Sequence, residues 1–193
     1  MSSESSFFRR DARVVAPELL GWTLRSTVDG VETAGTIVEV EAYVGEGDDA
    51  SHSRSGPTDR NRVMFGPAGN LYVYFTYGMH WCANVVCGEV DHGEAVLIRA
   101  LAPTEGLDEM RVRRARARRD RDLCSGPAKL AQALGIDGVH NGLDLLAGQV
   151  VALEPSRTVE RREVMVTTRV GITRSIEEMW RWYVAADPNV SKR

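Results

Sequence analysis

The sequence predicts an α+β fold: a single domain with a curved, mostly antiparallel β-sheet surrounded by short helices. Two patterns carry this expectation. Apolar and polar residues alternate at period two over residues 36–43 and again over 71–77, as half-buried strands require. Short turns, Val28-Asp29-Gly30 and Gly78-Met79, separate neighbouring strand patterns and read as hairpins. Helical signals are brief and scattered between them.

Residues 1–6 read as a flexible tail, and residues 7–193 as the domain. Residues 7–21 read as a short helix, with Asp11 as its cap, Gly21 as its stop and Pro17 as an internal irregularity. Strands follow at 22–27 and 35–43. In the second, Val38, Val40 and Ala42 share one face, and Ile37, Glu39, Glu41 and Tyr43 the other. The stretch 45–70 is long for a loop, which marks it as functional or disordered, and its His, Arg and Asn content favours function. A hairpin over 71–77 and 81–87 comes next, then a buried strand over 95–101 that contains Arg99. A buried arginine requires a carboxylate or water partner. Thr104 is expected to cap a helix running to about Arg118, and Ser125-Gly126-Pro127 opens another that ends at Gly135. Residues 144–153 and 162–169 read as strands; 176–184 is a mixed segment.

The chain has 193 residues, 43% hydrophobic and 26% charged, the balance of a globular protein of one domain. It lacks a run of about 18 apolar residues, so no membrane span is expected. The N-terminal MSSESSFFRR lacks the order of a signal peptide, and three cysteines (Cys82, Cys87, Cys124) without C-x-x-C spacing favour reduced thiols. A cytoplasmic location follows as an expectation, at the nucleoid if the cell is prokaryotic. The net charge is −3, yet residues 111–121 read RVRRARARRDR. That run is either a solvated surface or a phosphate contact, since local potential rather than total charge steers a polyanion.

Chemistry concentrates between Thr36 and Asn84. Glu41 and Tyr43 end a strand, the loop supplies His52 and the cluster Arg60-Asn61-Arg62, and the next strand carries Tyr72, Tyr74 and Tyr77. Glu41 is either an ordinary strand glutamate or a general base; its aromatic and imidazole neighbours favour the base. The tyrosines are either cross-strand packing or a stacking surface for a planar ligand such as a nucleobase. His52, His80, His92 and His140 form no H-E-x-x-H or deaminase pattern, so no metal site is expected, and no phosphate-loop, dinucleotide or nucleophile-elbow motif occurs. No cofactor is implied.

At these residues the sequence resembles the alkyladenine (3-methyladenine) DNA glycosylase family over nearly its whole length. The blocks that carry the resemblance are IVEVEAY (37–43), ASHSRSGPTDRNRVMF (50–65), GNLYVYFTYGMHWCANVV (69–86), VLIRALAP (96–103), LCSGPAKLAQALG (123–135) and RVGI (169–172). The resemblance implies a base-excision repair enzyme that flips damaged purines out of double-stranded DNA and cuts the N-glycosidic bond. By the same resemblance Tyr77 fills the gap left by the flipped nucleotide, and Tyr43, His52 and Tyr74 sandwich the extruded base. Glu41 activates a water with help from Arg99 and the Val170 backbone, and Asn84 stands at the pocket floor against the amino group of guanine. Arg60, Arg62 and Lys129 are candidate phosphate contacts. Only two lysines occur, Lys129 and Lys192, so water rather than an amine is the expected nucleophile and no lyase step is expected. The rival readings are a nucleic-acid-binding module without catalysis and a nucleosidase acting on free nucleosides. A monomer suffices for base flipping.

Overall fold

A computed structural model describes residues 3–192 of the chain. Among the described residues eight strands form one antiparallel sheet: β1 (Thr23–Ser26), β2 (Thr33–Tyr43), β3 (Leu71–Thr76), β4 (His80–Cys87), β5 (Glu94–Glu105), β6 (Val151–Glu154), β7 (Val164–Thr167) and β8 (Arg181–Val184). The helices are α1 (Ser3–Phe8), α2 (Ala12–Glu18), α3 (Leu107–Arg113) and α4 (Pro127–Leu134). The main path runs β3-β4-β5-β2-β1-β6, and β8 joins from the side by pairing with both β2 and β7. The sheet stays open, and the α+β class read from the sequence holds.

Strand β2 is the axis of the sheet. One edge pairs with β5 between Ala34 and Tyr43; the other pairs with β1 at its start and with β8 from Glu39 to Glu41. Three register shifts interrupt the β2–β5 ladder, the first leaving Thr104 without an opposite residue between the pairs Ala34–Glu105 and Gly35–Pro103. Val38 has no opposite residue between the pairs Ile37–Leu101 and Glu39–Ala100, and Arg99 has none between Glu39–Ala100 and Val40–Ile98. A bulge inserts a residue and re-aims its neighbours. Here Ile37 enters the same core as Val38, Val40 and Ala42, not the face of Glu39 and Glu41 that strict alternation assigned to it.

Elsewhere the alternation sorts the two faces cleanly. Leu71 and Val73 of β3, Ala83 and Val85 of β4, and Val96, Ile98 and Ala100 of β5 enter the main core. Helices α2 and α4 pack against the same strands, α2 on β2 and β5, α4 on β4 and β5. Their neighbours in sequence point the other way: Tyr72, Val86 and Ala95 cluster with Met64, and Tyr74 packs beside them. The sheet thus has one face committed to burial and one left for other uses.

Several boundaries differ from the sequence reading, each for a local reason. The expected tail over residues 1–6 lies partly outside the described residues, and α1 starts within it. The single helix over 7–21 is two, because the Gly88 N–H takes the carbonyls of Phe8 and Arg10 and Asp11 then caps α2 through the Arg13 N–H. Thr104 does not cap a helix; β5 continues through Glu105, paired with Ala34. Gly106 makes the turn at φ +68°, where a Cβ would stand 2.2 Å from the Glu32 carbonyl oxygen. Helix α3 then ends at Arg113. The strand expected over 144–153 is reduced to Val151–Glu154, because Asp144 accepts the Leu146 N–H in a side-chain turn. Within the mixed segment, residues 181–184 form β8.

Ile98 is fully buried in the main core, one residue from Arg99. Ile98→Ala is expected to lower the unfolding free energy by about 3 kcal/mol, since the removed atoms leave a cavity on a paired strand. Urea titration followed by circular dichroism should show an earlier midpoint with an unchanged slope.

Candidate active site

Glu41 sits on the face of β2 turned away from the main core, with no solvent exposure. Its carboxylate is held by three donors from three segments. The Val170 N–H donates to Oε1 at 2.7 Å, the Tyr43 hydroxyl to Oε2 at 2.9 Å, and Arg99 Nη1 to Oε2 at 3.2 Å. Burial pushes the Glu41 carboxyl above the ordinary range; Arg99, the Val170 N–H and the Tyr43 hydroxyl pull the other way. Such a group is more basic than a solvated glutamate.

Above Glu41 lies a cavity of about 540 Å³ whose lining includes Tyr43, His52, Tyr74, Asn84, Arg99 and Val170. All three donors to Glu41 are among its walls. A guanidinium is stacked behind the Tyr43 ring: Arg169 lies 4.6 Å from its centroid and 4.9 Å from that of Trp180. Arg169 is buried and bidentate with Asp48 at 2.7 and 2.8 Å, and it also donates to the Ala42 carbonyl. Tyr43 is therefore fixed from behind. Across the cavity His52 meets Tyr74 edge to face at 4.4 Å, and its Nδ1 lies 3.1 Å from the Tyr72 hydroxyl. Asn61 holds the loop there by donating to the carbonyls of His52 and Gly56. Asn84 is buried and donates to the Tyr72 carbonyl at 3.0 Å.

Tyr77 occupies the turn between β3 and β4. It is 83% exposed and adopts a left-handed φ of 50°, with Met79 exposed beside it. An aromatic ring so presented, at the rim of the cavity it helps to line, has no packing role in the folded chain.

The structure thus gathers Glu41, Tyr43, His52, Tyr74, Tyr77, Asn84, Arg99 and Val170 at one place. It does not bring Arg60, Arg62 or Lys129 into the cavity. Arg60 donates to the Phe75 carbonyl, Arg62 pairs with Asp59 on the surface, and Lys129 Nζ donates to Ser125 Oγ. Arg54 and Arg174 line the cavity instead, which sequence reasoning missed. Three of the seven arginines of the basic run fold onto local acids: Arg111 on Asp108 and Asp120, Arg113 on Glu109, Arg119 on Asp122. Arg116 and Arg118 stay exposed. Also missed were Glu39, Asp48, Arg169 and Arg181, all buried. Glu39 had a signal, since it shares the period-two face of Glu41; Asp48 and Arg169 are 121 residues apart and had none.

Chemically, the arrangement offers a buried carboxylate, aromatic walls and hydrogen-bond donors among the lining residues. Among the described residues no group of three or more His, Cys, Asp or Glu side chains stands together to hold a metal ion. Among the same residues no helix is long and apolar enough to cross a membrane. Burial, then the charges of Arg60 and Arg54, lower the His52 pKa to about 4, although the residue keeps an exposed edge. The imidazole is neutral at pH 7. Because the folded value lies below the ordinary 6.5, the folded state prefers neutral His52. Its contribution to stability is present above pH 6.5 and declines as pH falls towards 4. In an NMR titration the His52 resonances should stay flat from pH 8 to 6 and move with a midpoint near the value of about 4; a midpoint near 6.5 would contradict this environment.

Comparison with known proteins shows the family. A family model described as Methylpurine-DNA glycosylase (MPG) matches residues 6–188. The chain is 49% identical over 187 residues to a protein of Burkholderia lata, covering 96% of this chain and 89% of that one. It is 45% identical over 187 residues to a protein of Carboxydothermus hydrogenoformans, covering 97% of both. It is 48% identical over 195 residues to a protein of Methanoculleus marisnigri, covering 100% of both. All three relatives carry the name "Putative 3-methyladenine DNA glycosylase". The chain belongs to the methylpurine-DNA glycosylase family, enzymes that hydrolyse the N-glycosidic bonds of alkylated purines.

Proposed function

We propose that the protein acts on damaged purines in double-stranded DNA by base flipping and cleaves the glycosidic bond with a water activated by Glu41. The observation that carries the proposal is the buried Glu41 carboxylate beneath an aromatic cavity whose rim bears the exposed Tyr77. A glycosidic carbon inside a duplex is out of reach, so the nucleotide must leave the stack; a damaged base costs less to extrude. Tyr77, projecting from a hairpin, would fill the vacated space. The flipped base would lie against Tyr43, whose back is braced by Arg169, with His52 and Tyr74 opposite.

The electrostatics suit a cationic base. An alkylated purine carries positive charge, which π faces attract and which a neutral His52 does not repel. Such a base leaves readily. The sugar becomes cation-like as it departs, and the Glu41 carboxylate stabilises that charge while taking a proton from water. A water entering between Tyr43, Arg99 and Val170 would meet the carboxylate directly. Neutral lesions such as hypoxanthine need a proton on the base, so their cleavage should fall more steeply with rising pH. Asn84 at the floor would oppose the amino group of undamaged guanine. The nearest lysine in sequence, Lys129, has its amine on Ser125, which favours water over a Schiff base and a glycosylase without lyase activity.

Duplexes with one hypoxanthine, ethenoadenine or 7-methylguanine, treated with protein and then hot alkali, test the reading. Wild type should give strand cleavage that requires the alkali; Glu41→Gln should lower the rate at least about a hundredfold while still binding the lesion. Cleavage without alkali would indicate a lyase, and tight binding with no cleavage by wild type would favour a non-catalytic module. Tyr77→Ala should slow lesion excision from duplexes by roughly tenfold to a hundredfold, because the extruded state loses a few kcal/mol of support. A nucleosidase would be indifferent to that change.

A further inference from the structure

We propose that Glu39 is a positioning residue for the reaction, and that Ser191 and Arg181 hold it and Arg99 in the geometry that Glu41 needs. The proposal rests on the reading of Glu41 as the base. Arg99 is the observation behind it. Each of its three guanidinium nitrogens has a separate partner: Nε donates to Glu39 Oε1 at 2.9 Å, Nη1 to Glu41 Oε2 at 3.2 Å, and Nη2 to Ser191 Oγ at 3.3 Å. A planar fork fixed at two corners can aim its third nitrogen in only one direction. Glu39 and Ser191 are the two fixed corners, and Glu41 is the target.

Glu39 is itself fixed from outside its strand. Its Oε1 also accepts from Arg181 Nε at 2.8 Å and from Ser191 Oγ at 2.9 Å, and its Oε2 accepts the Ser191 N–H at 2.6 Å. Arg181 is tied in turn to Thr167 Oγ1 at 2.9 Å and to the Lys192 carbonyl. Residues 181–192 therefore form a clamp behind the cavity wall, and none of Glu39, Arg181 or Ser191 lines the cavity. Two carboxylates face two guanidiniums in this group, so it is balanced only with all four members present.

The charges also set the basicity of Glu41. The groups facing it are Tyr43 on its own strand, Arg99 from β5, Tyr74 from β3 and Arg169 beside Val170; Cys82 from β4 faces Arg99, with Glu39 and Arg181 behind. Burial acts against the Glu39 charge, but Arg99, the Ser191 N–H and Arg181 outweigh it and hold that carboxyl below the ordinary range. Glu39 is thus an anion that makes the neighbouring Glu41 harder to ionise. Replacing Glu39 by glutamine keeps a side-chain oxygen for Arg99 Nε but removes that anion, so the Glu41 pKa falls. Removing the Ser191 hydroxyl loosens Arg99 instead, so the Glu41 pKa rises. The two substitutions move the same group in opposite directions.

The test is single-turnover excision from a hypoxanthine duplex between pH 4 and 9, with lesion affinity and thermal midpoint measured on each variant. Glu39→Gln should slow excision by about tenfold and move the acidic limb of the pH profile down by about one unit. Ser191→Ala should slow excision similarly and move the limb up, and Ser191→Thr, which keeps the hydroxyl, should lie nearer wild type. Lesion affinity should change little, since neither residue lines the cavity. Unmoved acidic limbs in both variants would overturn the proposal, and so would rates that fall only in step with affinity or thermal midpoint. If Glu39→Gln does not fold, the Ser191 pair decides alone. Glu41→Gln runs beside them: activity surviving in it defeats the reading of Glu41 as base, whereas activity lost there with unmoved limbs defeats only the role of Glu39.

Discussion

The structure depends on how Arg99 is placed in the interior. A guanidinium without water is costly to bury, and the cost is met only where carboxylates and hydroxyls surround it. Alternation along β5 sends Ile98 and Ala100 into the core and Arg99 to the side of the sheet where Glu39 and Glu41 stand, and a bulge leaves Arg99 without a cross-strand partner there. Remove the bulge, and strict alternation would change the pairing of every residue beyond it. The rest follows from that placement. Helices cover the apolar face of the sheet, so the polar network has the opposite face to itself. The long loop then closes over this second face through Asp48, Asn61 and the Ser51–Ser53 pair.

Precision in the site comes from packing polar groups against one another more than from the apolar core. Tyr43 illustrates this. Its hydroxyl meets Glu41, and its ring lies on Arg169, which Asp48 neutralises. The same arginine is followed in sequence by Val170, whose N–H reaches Glu41. A single buried ion pair therefore sets both an aromatic wall and a backbone donor. Half-satisfied networks of this kind are destabilising, whereas complete ones specify a single arrangement. Among the buried side-chain atoms of the described residues, Arg169 Nε is one of two left without a partner, so this network is nearly complete.

The strands and the residues they carry were legible because they rest on local pattern. Period two found β2, β3 and β4, placed Glu41 and Tyr43 together, and separated Tyr72 and Tyr74 from Leu71 and Val73. The need of a buried arginine for a carboxylate partner followed from elementary energetics, and the structure supplies two. The bulges were not legible, since an inserted residue leaves no mark in hydrophobic period, and Ile37 was accordingly placed on the wrong face. Nor, apart from Val170, which the family resemblance supplied, were the partners from the last third of the chain. Arg169 and Arg181 sit among ordinary surface-like sequence, and only tertiary pairing buries them. The basic run at 111–121 shows the reverse: its charge was plain, but not the acids that pair with three of its seven arginines.

The pairing of β8 with β2 has a consequence for how the chain is made. Contacts between Glu39 and Arg181 span 142 residues, and such distant contacts form late because long loops must close first. As the chain leaves the ribosome, β2, β5 and the hairpin between them can pair while β8 is still unsynthesised. At that stage Glu39 and Glu41 share one guanidinium between them, and their surplus charge keeps water at the centre of the future site. Burial of the carboxylates must wait for Arg181. A nascent chain can therefore hold a nearly finished sheet and still have an open, hydrated floor, so that the site is sealed only once β8 has been made.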